Sequence, residues 1–228
     1  MFREALTYPV RGDHETLLVG VILSLAVGLL ARLGVLALLA VVPVVLLAGY
    51  ALAVVRATAE SGGSTASLRE DSPPRFGDFR ALAGDGLRAL VVAGSFLLVP
   101  AVGLAVTVRG AAAGGGPAGL GATVFVLGAS TTVLLVSLAF AYLLPAALAG
   151  VARRGDLSGA FDRGRLRRLA GDGGYFVGSV GALVVGASAV VLLGSLTALG
   201  RPGEVAALAL SFYALVAVAR LLGRGVAR

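Results

Sequence analysis

The stretch from Thr16 to Val55 constrains this chain more than any other feature, because it is forty residues long and carries one charge, Arg32. A helix needs roughly 20 apolar residues to cross the ~30 Å hydrocarbon core of a bilayer. A chain of 228 residues has no soluble core that could bury two such runs end to end. The stretch therefore predicts two membrane-spanning helices, at about 16–31 and 35–55, joined by a tight turn at Arg32.

Four further apolar runs follow, and we interpret them as spans at about 89–108, 120–144, 174–199 and 205–222. Apolar residues make up 58% of the chain, whereas soluble globular proteins contain about 45–50%. The sequence predicts an all-α fold, a polytopic membrane bundle of about six transmembrane helices that forms one integral membrane domain over residues 1–228. Pro43 and Pro100 lie inside spans and are expected to kink them. Pro145 directly follows the fourth span and is expected to close or kink it.

All nineteen basic residues are arginines, and the net charge is +7. With six spans, sixteen arginines lie on the side of the two termini, and the other side holds only Arg32, Arg109 and Arg201. The positive-inside rule then predicts a multi-pass protein of the cell membrane with both termini in the cytoplasm. The membrane topology thus accounts for the positive net charge. We expect the lipid bilayer as partner. We expect no binding of nucleic acid, because no aromatic-rich basic module is present.

An internal repeat is indicated by the sequence LAGDG, which occurs at 82–86 and at 169–173, each time just before a span. The N-terminal FREALTYPVRGD is a weaker third version. We infer three hairpin units, at about 1–60, 61–152 and 153–228, each opened by a short amphipathic segment in the membrane interface. Each unit ends near a tyrosine, and these are Tyr50, Tyr142 and Tyr213. The alternative is a chance match in a chain rich in Ala, Gly, Leu and Arg.

The Gly-Asp step of each unit predicts a helix cap, at Asp13, Asp85 and Asp172. An aspartate at the start of a helix accepts hydrogen bonds from free backbone N–H groups and suits the positive end of the helix dipole. The neighbouring glycines allow the sharp turn from the interface into the bilayer.

Small residues recur at fourfold spacing in the fifth span, at Gly174, Gly178, Ala182 and Gly186. This pattern lets two helices approach closely. It predicts a packing face against another span or against another subunit, in a homo-oligomer or with a membrane partner.

Two clusters of polar residues are candidate sites. In the middle of the fourth span, a polar path could be lined by Ser130, Thr131 and Thr132, although such side chains also bond to their own helix. In the loop at 153–173, anionic lipid headgroups could be bound by Arg163, Arg165, Arg167 and Arg168. Topology determination alone would also explain this second cluster.

Catalysis is not expected. The spans carry no ionisable residue near their middle, where coupled transporters usually keep one. The single His14 and the absence of cysteine leave no constellation for a metal, and no cofactor is implied. Two functions stay open: a structural or interaction protein that organises the membrane, and a passive transporter, channel or lipid-handling protein with a cavity between proline-kinked helices.

Three stretches carry a family resemblance: the opening FREALTYPVRGD, the segment FGDF…GDGLRALVV with SFLLVP, and the closing FYALVAVARLLGRG. They resemble the family called domain of unknown function 4013, multi-span membrane proteins common in archaea. The likeness covers nearly the whole chain. It implies an integral membrane protein without an assigned activity, and it transfers no catalytic or binding residues.

Overall fold

A computed structural model describes residues 2–61, 72–113 and 120–227, and this part of the chain is helical without strands. In chain order the helices are α1 (Phe2–Thr7), α2 (His14–Leu30), α3 (Val41–Glu60), α4 (Phe79–Ala113), α5 (Leu120–Arg154), α6 (Arg163–Ala170), α7 (Gly173–Thr197) and α8 (Arg201–Gly225). Short 3-10 segments precede α2, α3 and α6, at Pro9–Arg11, Gly34–Ala40 and Leu157–Phe161.

Five of the described helical segments are long and apolar enough to cross a membrane: Gly34–Glu60, Phe79–Thr107, Leu127–Arg154, Gly173–Thr197 and Arg201–Gly225. The first predicted span, at about 16–31, corresponds to α2, which has 17 residues and is about 26 Å long at 1.5 Å per residue. It counts as a span only together with the segment at 3–11, which meets it at an angle of 100°. The chain is therefore a multi-pass helical bundle with five spans by length and composition, or six with this bent pair.

Large apolar side chains cover the outer surface of the bundle. Val190 and Val191 on α7 are 72% and 73% exposed, and Leu38 before α3 is 77% exposed. Water would hydrate such a surface unfavourably, whereas lipid tails cover it without cost. The exposed surface thus has the character of a protein embedded in a bilayer.

The centre of the bundle is formed by α3, α5 and α8, since α3 packs against both of the others. Around them, α4 packs on α3 and α5, while α2 and α7 pack on α8. We call the "Arg-rich end" the end formed by the C-termini of α3, α5 and α8, the N-termini of α4 and α7, and the short helices α1 and α6. At the opposite end, Arg32 after α2 forms an ion pair of 2.7 Å with Glu204 of α8.

The start of α4 differs from the prediction. The helix begins at Phe79, ten residues before the predicted start at 89, because the Asp78 carboxylate accepts hydrogen bonds from the N–H groups of Arg80 (2.9 Å) and Ala81 (3.2 Å). The first LAGDG copy at 82–86 therefore lies inside a helix, and the predicted turn there is wrong. The second copy does separate α6 from α7.

The three prolines also differ in position from one another. Pro43 is the third residue of α3, where the backbone N–H has no partner within the helix in any case. Pro43 thus lies inside the candidate span Gly34–Glu60, as predicted, but in the first turn of α3 and not in the interior of that helix. Pro100 lies inside α4 as predicted, whereas α5 continues past Pro145 to Arg154, so Pro145 does not close the span.

Each of the three tyrosines predicted at the unit ends contacts the opening segment of the next unit. The Tyr50 ring stacks on Phe76 with centroids 4.2 Å apart, the Tyr142 hydroxyl donates to the Ala170 carbonyl over 3.0 Å, and the Tyr213 hydroxyl donates to the Leu6 carbonyl. Three units arranged head to tail in a ring would produce this series of contacts. The division of the chain into three units stays a prediction.

Candidate functional site: the arginine network and the outer groove

An ion-pair network joins three helices at the Arg-rich end. Arg56 of α3 donates to the Asp85 carboxylate of α4 over 2.9 Å and to the Ala152 carbonyl of α5 over 2.5 Å. Arg88 binds the other Asp85 oxygen at 2.9 Å. Asp85 is thus the centre of the network. Its predicted role as a cap is wrong, because it lies in the second turn of α4, where the backbone N–H groups bond within the helix.

The two other predicted caps behave differently from each other. The Asp172 carboxylate accepts a hydrogen bond from the Tyr175 N–H over 2.9 Å and caps α7. Asp13 immediately precedes α2, but its side chain makes no capping hydrogen bond. It forms an ion pair of 2.5 Å with Arg75 instead, so Asp13 occupies the predicted N-cap position without the predicted hydrogen bond.

Changing Asp172 to alanine should lower the free energy of unfolding by about 1 kcal/mol, because the first turn of α7 loses its side-chain acceptor. Thermal unfolding of the purified protein in detergent measures this change. Asp13→Ala is the matched control, and it should have a smaller effect because Asp13 caps nothing. Equal losses for both variants would contradict the capping role of Asp172.

Sequence reasoning missed two caps in the loop before α7. The Asp156 carboxylate accepts from the Gly159 N–H over 3.0 Å, and the Asp162 carboxylate accepts from the Arg165 N–H over 3.1 Å. The hydrogen bond from the Ser158 hydroxyl holds the pKa of Asp156 below its usual value, and the bond from the Arg165 backbone does the same for the pKa of Asp162. The sequence signal for both caps was an aspartate three residues before the backbone N–H that it accepts from in the first turn of a helix.

A buried arginine holds the N-terminal segment to the last helix. Arg220 of α8 is 3% exposed. It donates to the Thr58 hydroxyl over 3.1 Å, and its guanidinium lies 4.1 Å from the centre of the Tyr8 ring. Arg224, one turn later, forms an ion pair of 2.6 Å with Glu4. The sequence analysis counted Arg220 only among the arginines that set the topology. The apolar residues on both sides of Arg220 could have indicated that its side chain is buried.

The four arginines of α6 that could bind lipid do not share one environment. The short helix turns Leu166 and Leu169 toward the core of the bundle. The buried Nη2 atom of Arg165 has no hydrogen-bond partner among the described residues, and burial together with nearby Arg153 and Arg154 lowers the pKa of Arg165. The other three arginines are exposed on the outer surface: Arg163, Arg167 and Arg168.

The predicted packing stripe, Gly174, Gly178, Ala182 and Gly186, lies on α7. A Cβ atom added to Gly178 would lie 2.6 Å from the Cα of Gly225 in α8, and one added to Gly186 would lie 3.7 Å from the Val218 side chain. The stripe therefore packs against the last helix of the same chain. This contact occupies the face that the alternative prediction assigned to a second subunit.

The two threonines of the predicted polar path follow the alternative interpretation, in which such side chains bond to their own helix. The Thr131 hydroxyl donates to the Leu127 carbonyl and the Thr132 hydroxyl to the Gly128 carbonyl, each over 2.8 Å. Ser130 and both threonines are exposed on the outer surface of α5. These short side chains bond to their own helix, as hydroxyl groups in membrane helices commonly do, and they face away from the centre of the bundle.

An apolar groove of about 690 Å³ lies between α5 and α7, with α8 at its base. The two walls meet at the Arg-rich end, where the Tyr175 hydroxyl donates to the Tyr142 carbonyl and accepts from the Ala146 N–H (3.2 Å). Further along, the groove is lined by Leu135 and Leu138 of α5 and by Leu183 of α7, and it opens toward the lipid. It does not extend to the three polar residues of α5.

A family model described as "Protein of unknown function (DUF4013)" matches residues 32–199, which is more than half of the chain. The matched part contains the Arg56–Asp85 ion pair and both walls of the groove. Comparisons with curated proteins and with solved structures gave no match. The chain therefore belongs to the DUF4013 family of proteins of unknown function.

Proposed function

We propose that this integral membrane protein is a structural or interaction protein that organises its surroundings in the cell membrane and catalyses no reaction. The observation that carries the proposal is the buried cluster of side chains that the three central helices share, beside which lies a small apolar cavity of about 210 Å³. Val54, Val151 and Val216, from the three central helices, are each at most 1% exposed and belong to one cluster with Tyr50 and Phe212. A solute path through the centre would have to displace these side chains.

The orientation that we propose places the Arg-rich end in the cytoplasm. The described arginines are concentrated at that end of the bundle, whereas Arg32, Arg109 and Arg201 lie toward the other. Positive charge is retained on the cytoplasmic side of membrane proteins. The arginine network and α6 would then face cytoplasmic partners and the inner leaflet.

Reconstitution into liposomes tests the proposal against a transport function. We expect no flux of small ions or of an entrapped dye above the rate of protein-free liposomes, because the buried cluster of the three central helices obstructs such a path. We also expect crosslinking in native membranes to give a discrete band of higher mass than the monomer. Saturable flux through the wild-type protein, or crosslinking that yields only monomer, would contradict the proposal.

A second candidate is a lipid-handling function, which the outer groove favours. A groove that is open to the bilayer can exchange an acyl chain without any path through the bundle centre. Transfer of a fluorescent phospholipid between two populations of liposomes distinguishes this function from a purely structural one. Protein-dependent transfer would support lipid handling, and an unchanged transfer rate would support the structural role.

A further inference from the structure

We infer that the groove between α5 and α7 holds one acyl chain of an anionic phospholipid, whose headgroup binds Arg163 and Arg167 of α6. This inference goes beyond the proposed function, because it names a ligand and its site and holds for a structural protein as well as for a lipid-handling one. Three features of the structure support it: the shape of the groove, its place among the helices, and the charge at its end.

The groove has the size and lining of a site for an apolar chain. Its volume of about 690 Å³ falls within the range of roughly 300–1,000 Å³ that is typical of small-molecule sites. Leu135, Leu138 and Leu183 form its walls and Val218 lies at its base, while Tyr142 and Ser179 supply the few polar atoms. A hydrocarbon chain matches such a lining along its length.

The groove replaces a helix contact that is present elsewhere in the bundle. At the other two junctions between predicted units, the first long helix of one unit packs on the last helix of the preceding unit, α4 on α3 and α2 on α8. The equivalent pair, α5 and α7, meets mainly through Tyr142, Tyr175 and Ala146 at the Arg-rich end. The missing contact leaves apolar side chains of both helices to be covered by another apolar group.

Positive charge lies at the end of the groove where a headgroup would sit. Ala170, the last residue of α6, lines the groove. Arg167 and Arg163 precede it by three and seven residues, so the helical period places them on the same face. Both side chains are exposed. Each basic residue near a membrane surface favours anionic lipid, so α6 selects the headgroup while the groove takes the chain.

A phospholipid fits this site better than a helix of a second copy. A spanning helix in the groove would continue past Ala170, the residue of α6 that lines it, and run into the arginine-bearing face of α6. A phospholipid, in contrast, ends there in an anionic group.

Native mass spectrometry of the detergent-purified full chain tests the inference, with added dioleoyl phosphatidylglycerol or dioleoyl phosphatidylcholine as probes. We expect one tightly bound phosphatidylglycerol per chain. Ala139→Trp, which fills the groove, should weaken binding of both lipids at least tenfold. The double variant Arg163→Gln/Arg167→Gln should weaken phosphatidylglycerol alone, by roughly tenfold to thirtyfold.

Two control variants separate these effects from general damage. Ala129→Trp adds the same ring to an exposed position of α5 outside the groove, and Arg3→Gln/Arg80→Gln removes the same charge from exposed positions at the Arg-rich end. Both should bind lipid as the wild type does. The inference would be overturned if the two lipids bound equally or if test and control variants lost equal affinity. A shift from dimer to monomer caused by Ala139→Trp would also overturn it, because the groove would then belong to a second copy.

Discussion

Replacing Asp85 with asparagine should lower the free energy of unfolding by about 2–3 kcal/mol, and the midpoint of thermal unfolding in detergent should fall by roughly 5–10 °C. Asp85 binds Arg56 and Arg88, each at 2.9 Å, and its side chain is only 13% exposed. The substitution leaves the Arg56 guanidinium, which is 31% exposed, without a counter-charge. Removal of one partner from a fully buried pair costs about 3–5 kcal/mol, and partial exposure reduces this loss.

Asp13→Asn is the matched control for this prediction. Its ion pair with Arg75 has side chains that are 50% and 80% exposed, and such surface pairs contribute about 0–1 kcal/mol. The double variant Arg56→Gln/Asp85→Asn should lose less than the two single losses added together, because no charge is then left unpaired. An Asp85 variant as stable as the Asp13 variant would show that the network does not hold α3 and α4 together.

The membrane class and the helical segments could be predicted from the sequence, because a bilayer allows few solutions. A chain in hydrocarbon must satisfy every backbone group internally, so long apolar runs become helices. The runs that become α3, α7 and α8 were placed with errors of a few residues at their ends. Helix ends are set by local caps such as Asp78, and these are harder to recognise than the apolar runs.

The two LAGDG copies show why the site could not be predicted from local sequence. In the second copy Asp172 caps α7, whereas in the first Asp78 has already capped the helix and Asp85 is available to Arg56. Arg56 precedes Asp85 by 29 residues, so a pattern of five residues carries no information about this partner. Identical local sequences therefore have different roles, which the tertiary contacts decide.

The outer groove could not be predicted for a similar reason. Its walls come from two helices that are each apolar on many sides, and apolar periodicity does not tell whether a side chain faces lipid or a neighbouring helix. Leu135 and Leu183 line the groove, but nothing in their neighbours distinguishes them from Val190, which faces outward. The groove exists because α5 and α7 meet at one end only.

Changing Gly86 to alanine should lower the free energy of unfolding by about 3 kcal/mol, because α3 and α4 approach each other through glycine. A Cβ atom at Gly86 would lie 1.9 Å from the Val45 carbonyl oxygen, and one at Gly49 would lie 2.0 Å from the Leu82 carbonyl oxygen. Backbone atoms cannot rotate away as a side chain can, so the two helices must separate. Overpacking of a fitted contact costs about 1–3 kcal/mol, and a clash with backbone lies at the upper end.

Gly94→Ala is the matched control, because Gly94 lies on the same helix and a Cβ atom there would meet nothing within 4 Å. Alanine is the better helix former, so this variant should be as stable as the wild type or more stable by about 0.5–1 kcal/mol. Thermal unfolding and the elution profile in detergent measure both variants. Because separation of α3 and α4 also pulls Asp85 away from Arg56, the Gly86 variant should lose most of the additional effect of Asp85→Asn. Full additivity of the two changes would contradict the coupling of helix approach and ion pair.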